Sequence, residues 1–279
     1  MSAKGWSGVL TALACVAPIL AYVIQLWTQG LADLSLQAEL QFHIKLCYGT
    51  IGMFLLAAVL LLAGVTAPYG RYYNPSSGWF PWGPPIPPLS AWVIQESPAL
   101  FLPLYFTVQA FQNNGHLLPT PNLCFLTMFM FHYTYRALIF PLRLRSDQPL
   151  PFLVVLMAFS FCCVNGYIQG RYFSDLSTLI SSELYPDNWL TQPCFLAGTS
   201  LFIIGWMINF HSDNTLFQLR DQAQAIKLAN LQQSEQKGDR SGGGNGGKNT
   251  ISNKSHYIIP TGGMFHYVSG ANYFGEILE

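Results

Sequence analysis

Six stretches of this chain run for about twenty residues or more with almost no charge: Gly5 to Ala32, Leu46 to Tyr69, Leu89 to Phe111, Asn122 to Pro141, Gln148 to Gly170 and Asn188 to Ser212. That is the length a helix needs to cross the hydrocarbon core of a bilayer. Inside hydrocarbon every backbone polar group must be satisfied within the structure, so the spanning segments are helices or closed barrels. Apolar runs of this length without alternation are helices. Only 9% of the residues are charged, whereas a soluble domain carries about 25%. The chain therefore reads as an all-α, multi-pass transmembrane helical bundle of about six spans plus the start of another. Thirteen basic and thirteen acidic residues cancel, which excludes the broad basic face of a nucleic-acid binder. The six cysteines all lie in apolar stretches with no CxxC or Cys/His ligand spacing, so neither a disulfide framework nor a metal site is expected.

By length the first window also suits a signal peptide, with Lys4 as basic flank and Val9 to Trp27 as apolar core. No small-x-small cleavage site follows it cleanly, and an uncleaved span is preferred. Lys and Arg fix the topology. Arg220, Lys227, Lys237, Arg240, Lys248 and Lys254 follow the sixth window, and Arg143, Arg145, Arg71 and Lys4 alternate back onto the same side. The other side receives Lys45 and Arg171 with Asp33, Glu39, Asp175, Glu183 and Asp187. The Arg220 side is thereby cytosolic. Tyr72 to Pro88, rich in Pro, Gly and Trp, suits a rigid interfacial loop. Asp221 to His256 has a helix-like start, DQAQAIKLANLQQ, and a GGGNGG core. It reads as a flexible, disordered polar cytosolic loop that cannot form a packed core.

Ionisable groups at membrane depth are costly and mark function or pairing. Glu96 lies in the third window beside Trp92 and Gln95. His132 and Arg136 lie four apart in the fourth, with Tyr133 between them. One reading is a Glu96–Arg136 bridge holding two helices. The other is a polar pocket in which Glu96, as a neutral acid, and Tyr133 donate hydrogen bonds to a ligand oxygen. Asn209, Asp213 and Arg220, spaced four and seven, share one helical face at the mouth of the sixth window. Tyr257 opens a third cluster, YIIPTGGMFHYVSGANYFGEILE, in which Asn272 and Glu276 are four apart. The string GGGNGG formally fits GxGxxG, but no strand–helix alternation frames it and no GxxxxGK[ST] motif is present, so a Rossmann or P-loop site is excluded.

In this order, several segments resemble the steroid 5-alpha-reductase family: Ala67-Pro68-Tyr69-Gly70-Arg71, AWVIQESP ending at Pro98, HYTYRALIFPLR from His132, NGYIQGRY from Asn165, INFHSDNTLFQLR from Ile208 to Arg220, and the segment from Tyr257 to Glu279. The resemblance implies an endoplasmic reticulum membrane enzyme, its cofactor side cytosolic, that uses NADPH to saturate the 4,5 double bond of 3-oxo-4-ene steroids or sterols. Glu96 and Tyr133 match the family's carboxyl and phenol on the 3-oxo oxygen. Trp92, Gln95 and Arg136 match positions around the steroid and nicotinamide. Asn209, Asp213, Arg220, Tyr257, Asn272 and Glu276 match positions lining the NADPH site. The expected partners are the steroid or sterol and membrane lipids, with no nucleic acid and no metal, and the chain is read as a monomer. The domains expected are an extra N-terminal span (or signal peptide) and lumenal loop over 1–44, a membrane reductase core over 45–220, the insertion over 221–256, and the start of a C-terminal cofactor-binding region over 257–279. The chain departs from the family pattern in three places. Tyr135 stands where a histidine is expected, the link after Arg220 is long, and the chain stops at Glu279, inside a helix that the family continues. The last point reads as a truncated C-terminal region. Two other readings are a reductase of another unsaturated lipid, an enoyl thioester or polyprenyl compound, and a non-catalytic lipid-binding relative.

Overall fold

The computed structural model describes residues 3–32, 34–64, 82–115, 118–144, 148–177, 185–186, 188–239 and 258–279. Its helices are α1 (Ala3–Ala32), α2 (Leu36–Leu62), α3 (Pro88–Asn114), α4 (Thr120–Thr134), α5 (Phe140–Arg143), α6 (Phe152–Arg171), α7 (Pro193–Asp239) and α8 (Ala271–Leu278). A π-helical turn, Tyr135–Ile139, joins α4 to α5, and a second, Tyr172–Leu176, extends α6. Two compact units divide at Leu190, Met1–Leu190 and Thr191–Glu279. The division falls inside the stretch 45–220.

Among the described residues, four helical segments are long and apolar enough to cross a membrane: Leu36–Leu62, Thr120–Arg143, Phe152–Leu176 and Pro193–Gln233. The first and third apolar windows form α1 and α3. Helix α3 is the centre of the first unit and packs on α1, α4, α5 and α6. A helix surrounded by other helices can carry Trp92, Gln95 and Glu96 without exposing them to lipid. Its most extensive partner is α6, and Gly166 and Gly170 explain why. A Cβ on Gly166 would lie 2.7 Å from the Pro98 carbonyl oxygen, and one on Gly170 would lie 2.6 Å from the Pro103 Cα. This is the small-xxx-small pattern that lets helix backbones touch in membranes.

Helix α2 starts ten residues before its apolar window. Ser35 caps it, its side chain accepting from the Ala38 N–H at 3.3 Å, and Glu39 in its first turn is drawn into the core. Glu39, only 3% exposed, receives Arg171 Nε at 2.7 Å and Nη2 at 2.9 Å. Tyr167 Oη donates to the same carboxylate at 3.3 Å, and Arg171 also pairs with Asp175. Three charged residues assigned from sequence to one side of the membrane thus meet at the start of α2 and the end of α6. Breaking a buried pair of this kind costs about 3–5 kcal/mol. Trp27 of α1 stacks on Tyr167 at 4.2 Å.

The interfacial loop is described from Trp82 onward. Pro85–Ile86 pairs antiparallel with Leu150–Pro151, and the Phe152 and Leu153 N–H groups donate to the Pro84 and Trp82 carbonyls at 3.0 Å. These bonds satisfy two of the donors that a helix start leaves open. Gly83 takes a left-handed φ of +79° against the Phe152 ring.

In the second unit the helix-like start read at DQAQAIKLANLQQ is helical, and the helix runs six residues beyond it. Helix α7 continues without a break to Asp239, so the first part of the expected disordered insertion is helical. Ala, Gln, Leu and Lys are strong helix formers, and extending an existing helix needs no new nucleus.

Candidate active site

Trp92, Gln95 and Glu96 share one face of α3, three and four residues apart. Gln95, 6% exposed, donates from Nε2 to Glu96 Oε1 at 3.3 Å. Among the described residues its own Oε1 is buried with no hydrogen-bond partner. A buried acceptor left unmet costs about 1–3 kcal/mol, which a ligand donor would relieve. The other Glu96 oxygen, Oε2, faces the Cys162 thiol on α6 at 3.7 Å. Arg136 lies in the π-helical turn, 6% exposed. Its guanidinium stacks 4.9 Å from the Trp92 ring and 4.6 Å from the Phe140 ring. The two rings are 4.8 Å apart, and these cation–π contacts tie the turn to α3. π-Helical turns often occur at functional sites because they re-aim side chains.

Tyr133 is half-buried and its ring packs 4.7 Å from Phe129. Its hydroxyl accepts from Asn165 Nδ2 of α6 at 2.9 Å. Cys162 and Asn165 are three apart on α6, so their side chains emerge about 5–6 Å from each other on one face. Glu96 reaches the first and Tyr133 the second. Helix α6 thus brings the two expected donors to adjacent points of a single surface. Tyr135, at the position where the family pattern has histidine, is buried and accepts from Arg143 Nη1 at 3.2 Å.

Two residues of this cluster were not singled out from sequence. Cys162 passed as a small buried hydrophobe, and Asn165 as part of a motif. The available signal was Asn165 itself, an amide in the middle of an apolar span, where polar groups seek partners. Asn122 is a third such case. It is 1% exposed and donates to the Phe173 carbonyl at 2.9 Å and to Ser177 Oγ at 2.8 Å, tying the start of α4 to the end of α6.

In the second unit α7 and α8 cross backbone to backbone. A Cβ on Gly205 would lie 2.6 Å from the Gly275 carbonyl oxygen, and one on Gly275 would lie 2.6 Å from the Asn209 backbone nitrogen. At this crossing Asn209 Nδ2 donates to Glu276 Oε1 at 3.0 Å and to the Asn272 carbonyl at 3.3 Å. Asp213, one turn on, is 2% exposed, and Arg220 is exposed further along α7. The buried Ser212 hydroxyl, beside Asp213, has no hydrogen-bond partner among the described residues. Gly262 and Gly263 both have positive φ, and a Cβ on Gly263 would lie 2.8 Å from the His211 ring, so only glycine fits there. Tyr257 lies outside the described residues. Carboxylates that accept from ribose hydroxyls, an exposed guanidinium for phosphate and a buried hydroxyl without a partner suit a dinucleotide.

An all-α membrane protein with a carboxyl–phenol cluster in one unit and an amide–carboxylate cluster in the other has the parts of a membrane-embedded oxidoreductase. A family model described as 3-oxo-5-alpha-steroid 4-dehydrogenase matches residues 148–230 and 248–279. 3-Oxo-5-alpha-steroid 4-dehydrogenase 1 of Bos taurus is 37% identical over 220 residues, 79% of this chain and 70% of the relative. The Homo sapiens protein of the same name is 38% identical over 211 residues, 76% of this chain and 65% of the relative. Steroid 5-alpha-reductase DET2 of Arabidopsis thaliana is 33% identical over 227 residues, 79% of this chain and 70% of the relative. The chain belongs to the steroid 5-alpha-reductase family. It is an oxidoreductase acting on CH–CH groups, and that reaction implies a nicotinamide cofactor.

Proposed function

We propose that this protein reduces the 4,5 double bond of 3-oxo-4-ene steroids or sterols with NADPH, in the endoplasmic reticulum membrane with its cofactor side facing the cytosol. NADPH, when bound, supplies a hydride to C5 of the enone. Negative charge then builds on the 3-oxygen, and a proton added at C4 completes the saturation. Glu96 and Tyr133 act on that oxygen. Two preorganised donors aimed at developing charge in a water-poor site stabilise the transition state more than the ground state. Gln95 orients the Glu96 carboxyl, and Trp92 with Arg136 forms an aromatic and cationic wall beside it. Asn209, Asp213, Arg220, Tyr257, Asn272 and Glu276 hold the cofactor, Arg220 through charge toward phosphate.

One observation carries this reading: Glu96 and Tyr133 are each hydrogen-bonded to α6, at positions one turn apart. Relatives named for 3-oxo-5-alpha-steroids and for steroid 5-alpha reduction supply the substrate class. The positive-inside bias and the cluster of Glu39, Arg171 and Asp175 at one end of the first unit support the orientation. The test is turnover of several 3-oxo-4-ene steroids by the full-length protein in microsomes with NADPH. Product saturated at C4–C5 is expected. NADPH consumption with an enoyl thioester but with no steroid would overturn the substrate class.

A further inference from the structure

We propose that Asn165 is a positioning residue for Tyr133, setting the direction of the phenol O–H from the third helix of the cluster. The inference rests on the reading of Tyr133 as a donor to the substrate oxygen. Asn165 stands in the middle of an apolar span, where an amide without a partner is costly. Its Nδ2 spends a hydrogen on Tyr133 Oη at 2.9 Å. In that bond the phenol oxygen is the acceptor, so the phenol proton is not consumed by Asn165. A hydroxyl that already accepts a hydrogen bond is polarised into a stronger donor. The contact therefore does two things for a proton-donating tyrosine: it holds the phenol oxygen in place by restricting χ1, and it strengthens the outgoing O–H.

The position of Asn165 is itself defined by the main chain. The next residue, Gly166, lies against Pro98 and Ala99 of α3, with 2.7 Å from its would-be Cβ to the Pro98 carbonyl oxygen. Pro98 is two residues beyond Glu96. Helix α6 therefore cannot slide along α3 without a clash, and Asn165 keeps a fixed offset from the turn that carries Glu96. On the other side, Phe129 packs on the Tyr133 ring at 4.7 Å. The phenol is held between an apolar ring and an amide, as a donor with one assigned direction would be.

The test is a double-mutant cycle in the full-length protein in microsomes, reading kcat and KM for a 3-oxo-4-ene steroid, KM for NADPH and thermal stability. Asn165→Ala is expected to lower kcat about tenfold, the worth of one hydrogen bond, with the KM for NADPH unchanged. In a Tyr133→Phe background the same substitution should change kcat by less than about twofold, because the group it acts through is gone. Asn165→Asp keeps the shape but replaces the donor with an acceptor that captures the phenol proton. It should lose more turnover than Asn165→Ala at similar thermal stability, and it carries the test alone if the alanine variant does not fold. Full turnover in Asn165→Asp, or an Asn165→Ala loss of equal size with and without the Tyr133 hydroxyl, would overturn the proposal. If Tyr133→Phe alone kept full turnover, the donor reading of Tyr133 would fall and this role with it. An impaired Tyr133→Phe with an additive cycle would remove only the role of Asn165.

Discussion

The cluster on α3, α4 and α6 and the crossing of α7 with α8 both rest on glycine, yet they hold their polar groups by different means. In the first, Gly166 and Gly170 bring two backbones together, and side chains from three helices then bond to one another: Gln95 and Cys162 to Glu96, Asn165 to Tyr133. In the second, main chain meets main chain at Gly205 and Gly275, and a single amide, Asn209, bridges the helices. Deleting a side chain from the first removes a chemical group and leaves the scaffold standing. Adding even one carbon to the second moves a helix. On the proposed reading, the first cluster supplies chemistry through its converging side chains, and the second holds the cofactor through the shape of its crossing.

The largest effect should come from removing the chemistry. Glu96→Ala and Tyr133→Phe are each expected to lower turnover on the order of 100- to 1000-fold, while NADPH affinity stays within a few-fold. Glu96→Gln keeps a donor of the same shape and should be milder. Steady-state rates together with a cofactor-binding titration would decide it. Loss of cofactor binding in step with turnover would show that the first cluster is scaffold as much as chemistry, and the contrast would fail.

Gly275→Ala turns the comparison around. Its new methyl would overlap the Asn209 backbone nitrogen and the Gly205 carbonyl oxygen, and overpacking of this kind typically costs about 1–3 kcal/mol. The expected outcome is a roughly tenfold or greater loss of NADPH affinity, with kcat at saturating cofactor largely kept. Wild-type affinity would mean that α8 can shift without disturbing the Asn209–Glu276 bond.

Much of this was legible in the sequence, and the exceptions have physical causes. Length and the absence of charge suffice for helices, because hydrocarbon admits little else. Glu96, Tyr133 and Arg136 stood out because ionisable groups are rare at that depth. Asn165 and Cys162 did not, since an isolated amide or thiol in an apolar run looks the same whether it packs passively or meets a partner on another helix. The early start of α2 was hidden for a related reason. LQAELQFHIK reads as a polar loop until Arg171, 132 residues away, is seen to neutralise Glu39. Likewise, nothing within the sequence of α7 marks where a helix leaving the membrane should stop before its glycines. Local propensity carries it to Asp239.

Arg220→Ala should have a smaller, cleaner effect than the glycine change. The guanidinium is exposed, so its loss leaves the fold intact and removes one charge from the proposed cofactor end of α7. NADPH affinity is expected to fall roughly tenfold and the deficit to shrink in high salt, where charge attraction is screened. An affinity that drops equally at all ionic strengths would assign Arg220 a packing role instead.

The smallest effect is expected from shortening the link between the two helices of the second unit, provided the cut respects the geometry of α7. Gly263 lies against His211, and α7 runs on from there to Asp239, about 42 Å at 1.5 Å per residue. The chain must return over that distance. Deleting Ser241 to Gly247 leaves sixteen residues between Asp239 and Gly263, which can reach about 55 Å when extended. The return stays within reach, and loop closure changes by well under about 1 kcal/mol. Thermal stability and NADPH affinity should stay within about twofold of wild type. A longer cut, Ser234 to Ser255, leaves only seven residues after Gln233. They reach about 27 Å, against roughly 33 Å of helix between His211 and Gln233. That variant must unwind the end of α7 or pull Gly263 from His211, and it should lose cofactor affinity where the shorter cut does not. If the shorter deletion alone abolished NADPH binding, the excised glycine-rich segment would itself contact the cofactor. The second unit would then depend on more than the shape of its helix crossing.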